Sequence, residues 1–407
     1  MMDELAGAIA AGGDAAARPA GLRRTRVLHS VGHLARGGIE TWLRSMIQRL
    51  DRGRFEHHVL VWTAEEEAFT AEYRAAGARV LPCPGHMNPL RLAPSLARIL
   101  REHGPYDLLH THGSHGHAFV MLFSALAGIR ARIAHSHCDV RPVLRETGPA
   151  YRLYAAAGNR LMRRLLTAGA AVSVESAESL FGPRWRSDRR IRLLRCGIDM
   201  RPFREPPDPS LRARLGLPEG RSVVGHVGRF EEQKNHAFLL EVAEALARRG
   251  SPLHLLLVGD GSLRPGFVEA MRGRGLADRF TLVEDCAEVP ALMIGAMDCL
   301  VCPSLFEGVP LVLMEAQAAG LPCLVSEALS RDADAGAGLM SWLPLAAGPE
   351  AWAQALEALP ARRVDNRDPV LRRRMEGSAF NLESSARDLA ELYGAALAAA
   401  GERGLAR

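Results

Sequence analysis

The feature that most constrains this chain is an alternation of short apolar runs with amphipathic stretches, and it occurs twice. From "TRVLHSV" (25–31) the order is strand, then a helix "GGIETWLRSMIQRL" (37–50) with Ile39, Leu43, Met46, Ile47 and Leu50 at helical spacing. Strands "FEHHVLVW", "RVLPC", "YDLLHTH" and "RARIAHSH" follow, separated by helical stretches. An arginine-rich helix at about 150–168, a strand "AAVSV" and the run "IRLLRCGID" complete the first series. The second series runs through "SVVGHVG", "LHLLLVGDG", "RFTLVE", a short helix at 289–296, "DCLVC" and "LPCLVS". Repeated βα units cover both faces of a parallel sheet, so the pattern predicts an α/β chain with two Rossmann-like, doubly wound domains. Residues 1–21 read as a flexible tail, 22–204 as the first domain, 205–375 as the second, and 376–407 as a C-terminal helix packing back on the first. The boundary is set at the Pro- and Gly-rich "EPPDPSLRARLGLPEGR" (205–221). Ligands of such folds bind beyond the C-terminal strand ends, so a cleft between facing domains is the expected site.

Composition excludes several classes. A chain of 407 residues exceeds one ordinary core. No apolar run reaches the roughly 18 residues of a membrane span, and the acidic start "MMDELAG" does not read as a signal peptide. Seven irregularly spaced cysteines make no disulfide framework, which points to a reducing cytoplasm. Cys299 and Cys302 form a CxxC inside an apolar strand without a second ligand pair, so they read as buried thiols. The net charge of +5 suits a nucleic acid, an anionic membrane face or a phosphorylated small molecule. With 5% aromatics and no aromatic–basic platform, nucleic acid is set aside. Nearly all the positive charge is arginine, Lys234 being the only lysine.

Chemistry-bearing residues gather at strand ends. In "GHVGRFEEQKNH" (225–236) a strand ends near Gly228, and Arg229 and Lys234 follow, two cations suited to a diphosphate. In "PSLFEGVPLVLMEAQAAGLP" (303–322) a strand leads through Gly308 into a helix expected to start at Pro310 and stop at Gly320. Its opening amides, including those of Leu311 and Val312, favour an anion. Glu307 and Glu315 stand eight residues apart across that start and would repel one. A ligand with a central diphosphate and sugars on both sides reconciles the two: cations and amides take the phosphates, carboxylates the hydroxyls. That is a nucleotide diphosphate sugar. The bland alternatives are solvated surface cations and an ordinary helix-face glutamate. In the first half, Gly37 and Gly38 sit at a strand-to-helix turn open to a ligand's approach. The spacing is not that of a dinucleotide fingerprint. His110, His112, His115, His117, His135 and His137 crowd two strand ends, with His135 and His137 on one face. A metal role for them, or for the loop "DAD" (332–334), lacks matching carboxylates or a preceding strand, so no metal is expected.

The motifs "GGIET", "YDLLHTHG", "RIAHSH", "GRFEEQKNH", "LLLVGDG" and "PSLFEGVPLVLMEAQAAGLPCLVS" carry a resemblance to the retaining glycosyltransferases of family 4, with the GT-B fold, and to their bacterial exopolysaccharide and capsule branch. The resemblance covers about 27–325 and includes the family's E-x7-E signature. It implies that Glu307 positions the donor sugar, Glu315 binds ribose hydroxyls, and Arg229 and Lys234 stabilise the diphosphate. It further implies that Gly37 and Gly38 border the diphosphate and acceptor, and that His137 (with His135 as its rival) is the active-site histidine. Gly228, Gly308, Leu311 and Val312 join the substrate-binding set. The reaction implied is metal-independent, cofactor-free transfer with retention, from a nucleotide sugar to a glycan or lipid-linked acceptor. The place implied is the cytoplasm, with peripheral contact between an anionic inner membrane face and the arginine-rich helix (Arg145, Arg152, Arg160, Arg163, Arg164). A GT-B-fold sugar-nucleotide epimerase and an inactive sugar-nucleotide-binding protein are the alternatives. Cys196 replaces the family's usual Asn before "GID", and "EALSRDADAGAGLMSW" replaces its usual loop after "LPCLVS", so the donor base and sugar are not assigned.

Overall fold

The computed structural model describes residues 23–35, 37–85, 88–284, 286 and 288–405, so the expected tail at 1–21 lies outside the described residues. The chain forms two compact units: one runs to Cys196 and resumes at Glu383, the other is Gly197–Leu382.

In the first unit, strands β1 (Thr25–Ser30), β2 (Phe55–Val61), β3 (Arg79–Pro82), β4 (Leu108–His112), β5 (Ala131–Ser136), β6 (Ala168–Ala171) and β7 (Ile191–Leu193) form one parallel sheet in the order β3-β2-β1-β4-β5-β6-β7. Chain order reverses between β1 and β4, the switch point at which doubly wound sheets open a crevice. One face packs Leu28, Leu60, Leu109 and Ala134 against the helices Pro89–His103 and Ala118–Leu126. The returning C-terminal residues bring Tyr393 onto Phe55 and His110, and Ser385 onto the Trp42 indole N–H at 2.9 Å.

The second unit repeats the plan with β8 (Val223–Val227), β9 (His254–Val258), β10 (Phe280–Val283), β11 (Cys299–Cys302), β12 (Cys323–Ser326) and β13 (Met340–Leu343), in the order β10-β9-β8-β11-β12-β13. Its switch point lies between β8 and β11. The strand "HLLLV" of β9 is buried throughout, as a sheet covered on both faces requires.

Three expectations are corrected. The strand read at "AAVSV" ends earlier, at Ala171, because Ser173 and Ser176 close a capping box that starts the helix Val174–Phe181. The boundary expected near the start of 205–221 lies earlier, while the stretch itself sits in the second unit, as the expected 205–375 bounds have it. Phe203, Leu211 and Leu217 are buried in the second unit's core, Arg212 pairs with Asp298 at 2.6 Å, and the division falls at Cys196–Gly197. The loop read after "LPCLVS" contains β13, a strand too short and too flanked by glycines to show a periodicity.

Trp352 ties the second unit's outer layer together. It is fully buried, meets Phe238 edge-on at 5.5 Å and donates to the Pro344 carbonyl at 3.1 Å. Trp352→Ala should cost about 3–5 kcal/mol, read as a lower midpoint in urea unfolding.

Candidate active site

The loops following β8 and β11, neighbours at the second unit's switch point, carry most of the residues singled out by sequence. They are laced together. Leu305 N–H donates to the Gln233 carbonyl at 2.9 Å, Asn235 Nδ2 to the Pro303 carbonyl at 3.1 Å, and Gln233 Nε2 to the Phe306 carbonyl at 2.9 Å. The tightest link is ionic: Lys234 Nζ stands 2.5 Å from Glu307 Oε1, and Gln233 Nε2 holds the other oxygen at 2.8 Å. Burial works against the ammonium, but the Glu307 carboxylate and the Cys302 thiol outweigh it, so Lys234 titrates above the ordinary lysine range. An ammonium has three donors, so two remain for a ligand.

Backbone shape makes the pair possible. Asn235 sits at φ +57, in the left-handed region that asparagine tolerates, and turns the chain into the helix His236–Arg248. Gly228 leaves room for the lysine stem: a Cβ there would lie 3.0 Å from Lys234 Cε. Gly259, at φ +143, lets β9's end press on the Gly228 carbonyl, which a Cβ would meet at 2.2 Å. Gly259 serves this backbone contact, and Gly261, at φ +154, serves a second one against the Phe230 backbone, which a Cβ would meet at 2.7 Å. Sequence reasoning missed Gln233 and Asn235, for which a polar residue beside a strand-end loop is the only signal.

The helix Leu311–Ala318 follows, with Pro310 at its N-cap and Gly320 at φ +75 beyond its end. The amides of Leu311 and Val312, in its first turn, have no intrahelical acceptor. Glu315 is partly buried, makes no side-chain hydrogen bond among the described residues, and is pushed up to about 7 by burial. Arg229 is exposed and makes no ion pair among the described residues. One carboxylate is thus neutralised by lysine, the other left unpartnered, and one guanidinium and a helix start are open to an anion.

In the first unit, Gly37 is the N-cap of the helix Gly38–Arg49, and the Glu40 carboxylate lies beside it. His137 stands just past β5 and is 9% exposed. Its Nε2 is 3.1 Å from His112 Nδ1, and its Nδ1 is 3.8 Å from the Cys196 thiol. Burial pushes the ring down to about 3. His135 is wholly buried and 3.3 Å from His110. Cys299 and Cys302 are buried free thiols of β11.

Two family models match the chain: Glycosyltransferase Family 4 over residues 36–201 and Glycosyl transferases group 1 over residues 221–361. Bacillus subtilis (strain 168) EpsF, named as a glycosyltransferase, is 34% identical over 338 residues, covering 81% of this chain and 86% of that protein. An Escherichia coli UDP-Gal:alpha-D-GlcNAc-diphosphoundecaprenol alpha-1,3-galactosyltransferase is 29% identical over 245 residues, 57% of this chain and 60% of its own length. Among solved structures, Anabaena HepE in complex with UDP and glucose superposes with a TM-score of 0.73 at 20% identity, over 91% of this chain and all of that one. That likeness shows the fold, two doubly wound sheets of the GT-B kind. The sequence matches show the lineage: the chain belongs to the family 4 glycosyltransferases of group 1.

Proposed function

We propose that this glycosyltransferase moves a sugar from a nucleoside diphosphate sugar, of the UDP class, to a glycan or lipid-linked acceptor with retention at the anomeric carbon. The observation that carries the reading is the Lys234–Glu307 pair at the switch point, beside a helix start and the unpartnered Glu315. Lys234, Arg229 and the amides of Gly308, Leu311 and Val312 receive the diphosphate, with Gly228 keeping the lysine's path clear. Glu307, its charge already balanced, accepts from sugar hydroxyls; Glu315 accepts from the ribose. As the anomeric C–O bond to the diphosphate breaks, negative charge grows on the leaving oxygens, where fixed cations and amides stabilise it most. The acceptor hydroxyl bonds to the anomeric carbon from the same face and passes its proton to the departing phosphate oxygen. This route uses no metal and no covalent enzyme intermediate. Gly37, Gly38 and His137 are assigned to the acceptor side.

The UDP class and the lipid-linked acceptor draw support from the relative whose name contains both a UDP-sugar and a diphosphoundecaprenol. We assign this chain a role in exopolysaccharide, capsule or lipopolysaccharide synthesis, on the resemblance of its motifs to that branch. No helix among the described residues is long and apolar enough to cross a membrane. The helix Pro149–Leu165 instead exposes Leu153 (72%) and Tyr151 (41%) beside exposed Arg152, Arg160 and Arg164, with Arg145 exposed just before it. Apolar tips among cations suit an anionic bilayer surface, and we assign this face to peripheral membrane contact.

The direct test is to supply a panel of nucleotide sugars and measure released nucleoside diphosphate, with the product's anomeric configuration read by NMR. Sugar isomerisation without release, or an inverted product, would overturn the reading. Lys234→Ala should lower transfer at least about a hundredfold, the scale of losing one transition-state donor.

Glu315 gives a pH signature. Burial pushes Glu315 up to about 7, from an ordinary glutamate value of 4.5, so the folded state holds this proton more tightly and its contribution to stability falls as pH rises from 4.5 through 7. Ligand-free Glu315→Gln should melt above the wild type at about pH 8, and the gap should close near pH 5. Separately, Arg152→Glu with Leu153→Glu should reduce co-sedimentation with phosphatidylglycerol vesicles while leaving transfer to a soluble acceptor unchanged.

A further inference from the structure

The first unit carries a layer of buried histidines that donor binding does not use. His29 on β1, His57 on β2, His110 and His112 on β4, and His135 on β5 share one face of the sheet with His137 just beyond. Parallel register sets His29 beside His110 and His112 beside His135. Trp42 covers His112, His135 and His137 with ring centroids 5.4–6.1 Å away. Six imidazoles in one dry layer exceed what a sheet core requires.

We propose that His112, His135 and His137 form a site for one divalent transition ion of the zinc or cobalt type. One ring nitrogen from each lies within 4.8 Å of the other two. The partners of the opposite nitrogens show which ones face inward. His112 Nε2 is 3.1 Å from His29 Nδ1, His135 Nδ1 is 3.3 Å from His110 Nε2, and His137 Nδ1 is 3.8 Å from Cys196 Sγ. His112 Nδ1, His135 Nε2 and His137 Nε2 remain. The first and last of these are 3.1 Å apart, close to the edge of about 3.4 Å set by nitrogens about 2.05 Å from a tetrahedral zinc. His135 Nε2 is buried and has no hydrogen-bond partner among the described residues; the Leu194 backbone near the ring does not reach that geometry.

Proton counting supports the same three atoms. Ligation requires neutral rings, each with one bare nitrogen. With the inward nitrogens on an ion, each ring's proton sits on its outer nitrogen. His112 then donates to His29, His29 to His57 at 3.0 Å, His135 to His110, His110 to the Tyr393 hydroxyl at 3.0 Å, and His137 to the Cys196 thiol. A single tautomer set serves every contact, and each ligand gains the second partner that orients metal-bound imidazoles. Without an ion the His112–His137 contact takes up a proton and His135 Nε2 stays unmatched. Three protein ligands leave one position for solvent, on the side where His137 is 9% exposed. The ion would be structural. It would fix the His137 ring, whose Nδ1–H is then held by the Cys196 thiol.

The test is cobalt titration of the full-length protein after dialysis against a chelator. One equivalent per chain should give the visible d–d bands of a tetrahedral ion. Zinc should displace it and raise the melting temperature, and X-ray absorption on the wild type should count three imidazoles. His135→Phe should lose the bands, whereas His57→Phe, at the layer's outer end, should keep them. No stoichiometric cobalt binding, or a first shell without three imidazoles, would overturn the proposal. So would binding that survives His135→Phe but is lost in His29→Phe, which would place the ion on His29, His110 and His112. The absorption count decides the matter even if a variant fails to fold, and none of these readouts requires transfer activity.

Discussion

The Lys234–Glu307 ion pair is the contact around which the second unit's switch-point loops are organised. It joins the loop after β8 to the loop after β11, the two strands at the switch point. It brings the chain's only lysine to the place we propose for the diphosphate and cancels the carboxylate that would otherwise repel an anion there. Removing either partner would leave a largely buried charge alone, the costliest outcome for such a pair. The surrounding oddities follow from it: glycine at 228 for the lysine stem, a left-handed Asn235 to turn the chain, and Gln233 to hold the second oxygen. The pair places a cation next to an acid, which is what a phosphate flanked by hydroxyls calls for.

Much of this was readable because it rests on local pattern. Strands such as β9 are long apolar runs, and the doubled βα alternation leaves few alternatives to two doubly wound sheets. Lys234, Glu307 and Glu315 stood out because charge at a strand end or helix start has few structural uses. What escaped depends on partners far apart in sequence. The position of the domain boundary depends on Ile198 and Phe203 joining one core with Leu211, Leu217, Leu292 and Met293, which no local pattern shows. Gly259 looks like a ligand-binding glycine until the Gly228 carbonyl is found against it. β13 is recognisable as a strand only through its pairing with β12. The histidines were visible one by one, but their joint face needs the register of four strands.

The two units place their polar burial differently. In the second, the polarity gathered at the strand ends is charged, since Lys234 and Glu307 answer each other, while His226 and His254 lie buried inside the sheet. In the first, it lies within the sheet and is neutral, carried by imidazoles that each offer one donor and one acceptor. A row of such rings satisfies itself without any net charge, which a layer covered by Trp42 and Tyr393 could not accommodate at low cost.

The return of residues 383–405 to the first unit has a consequence for how the chain is made. The segment 197–382 is continuous, so on the ribosome it can close its core as soon as it has emerged. The half begun earlier must wait for residues 383–393 to bring Ser385 to Trp42 and Tyr393 to His110. Translation order and completion order are therefore inverted, and a chain interrupted between Leu382 and Tyr393 would hold a finished second unit joined to an unfinished first.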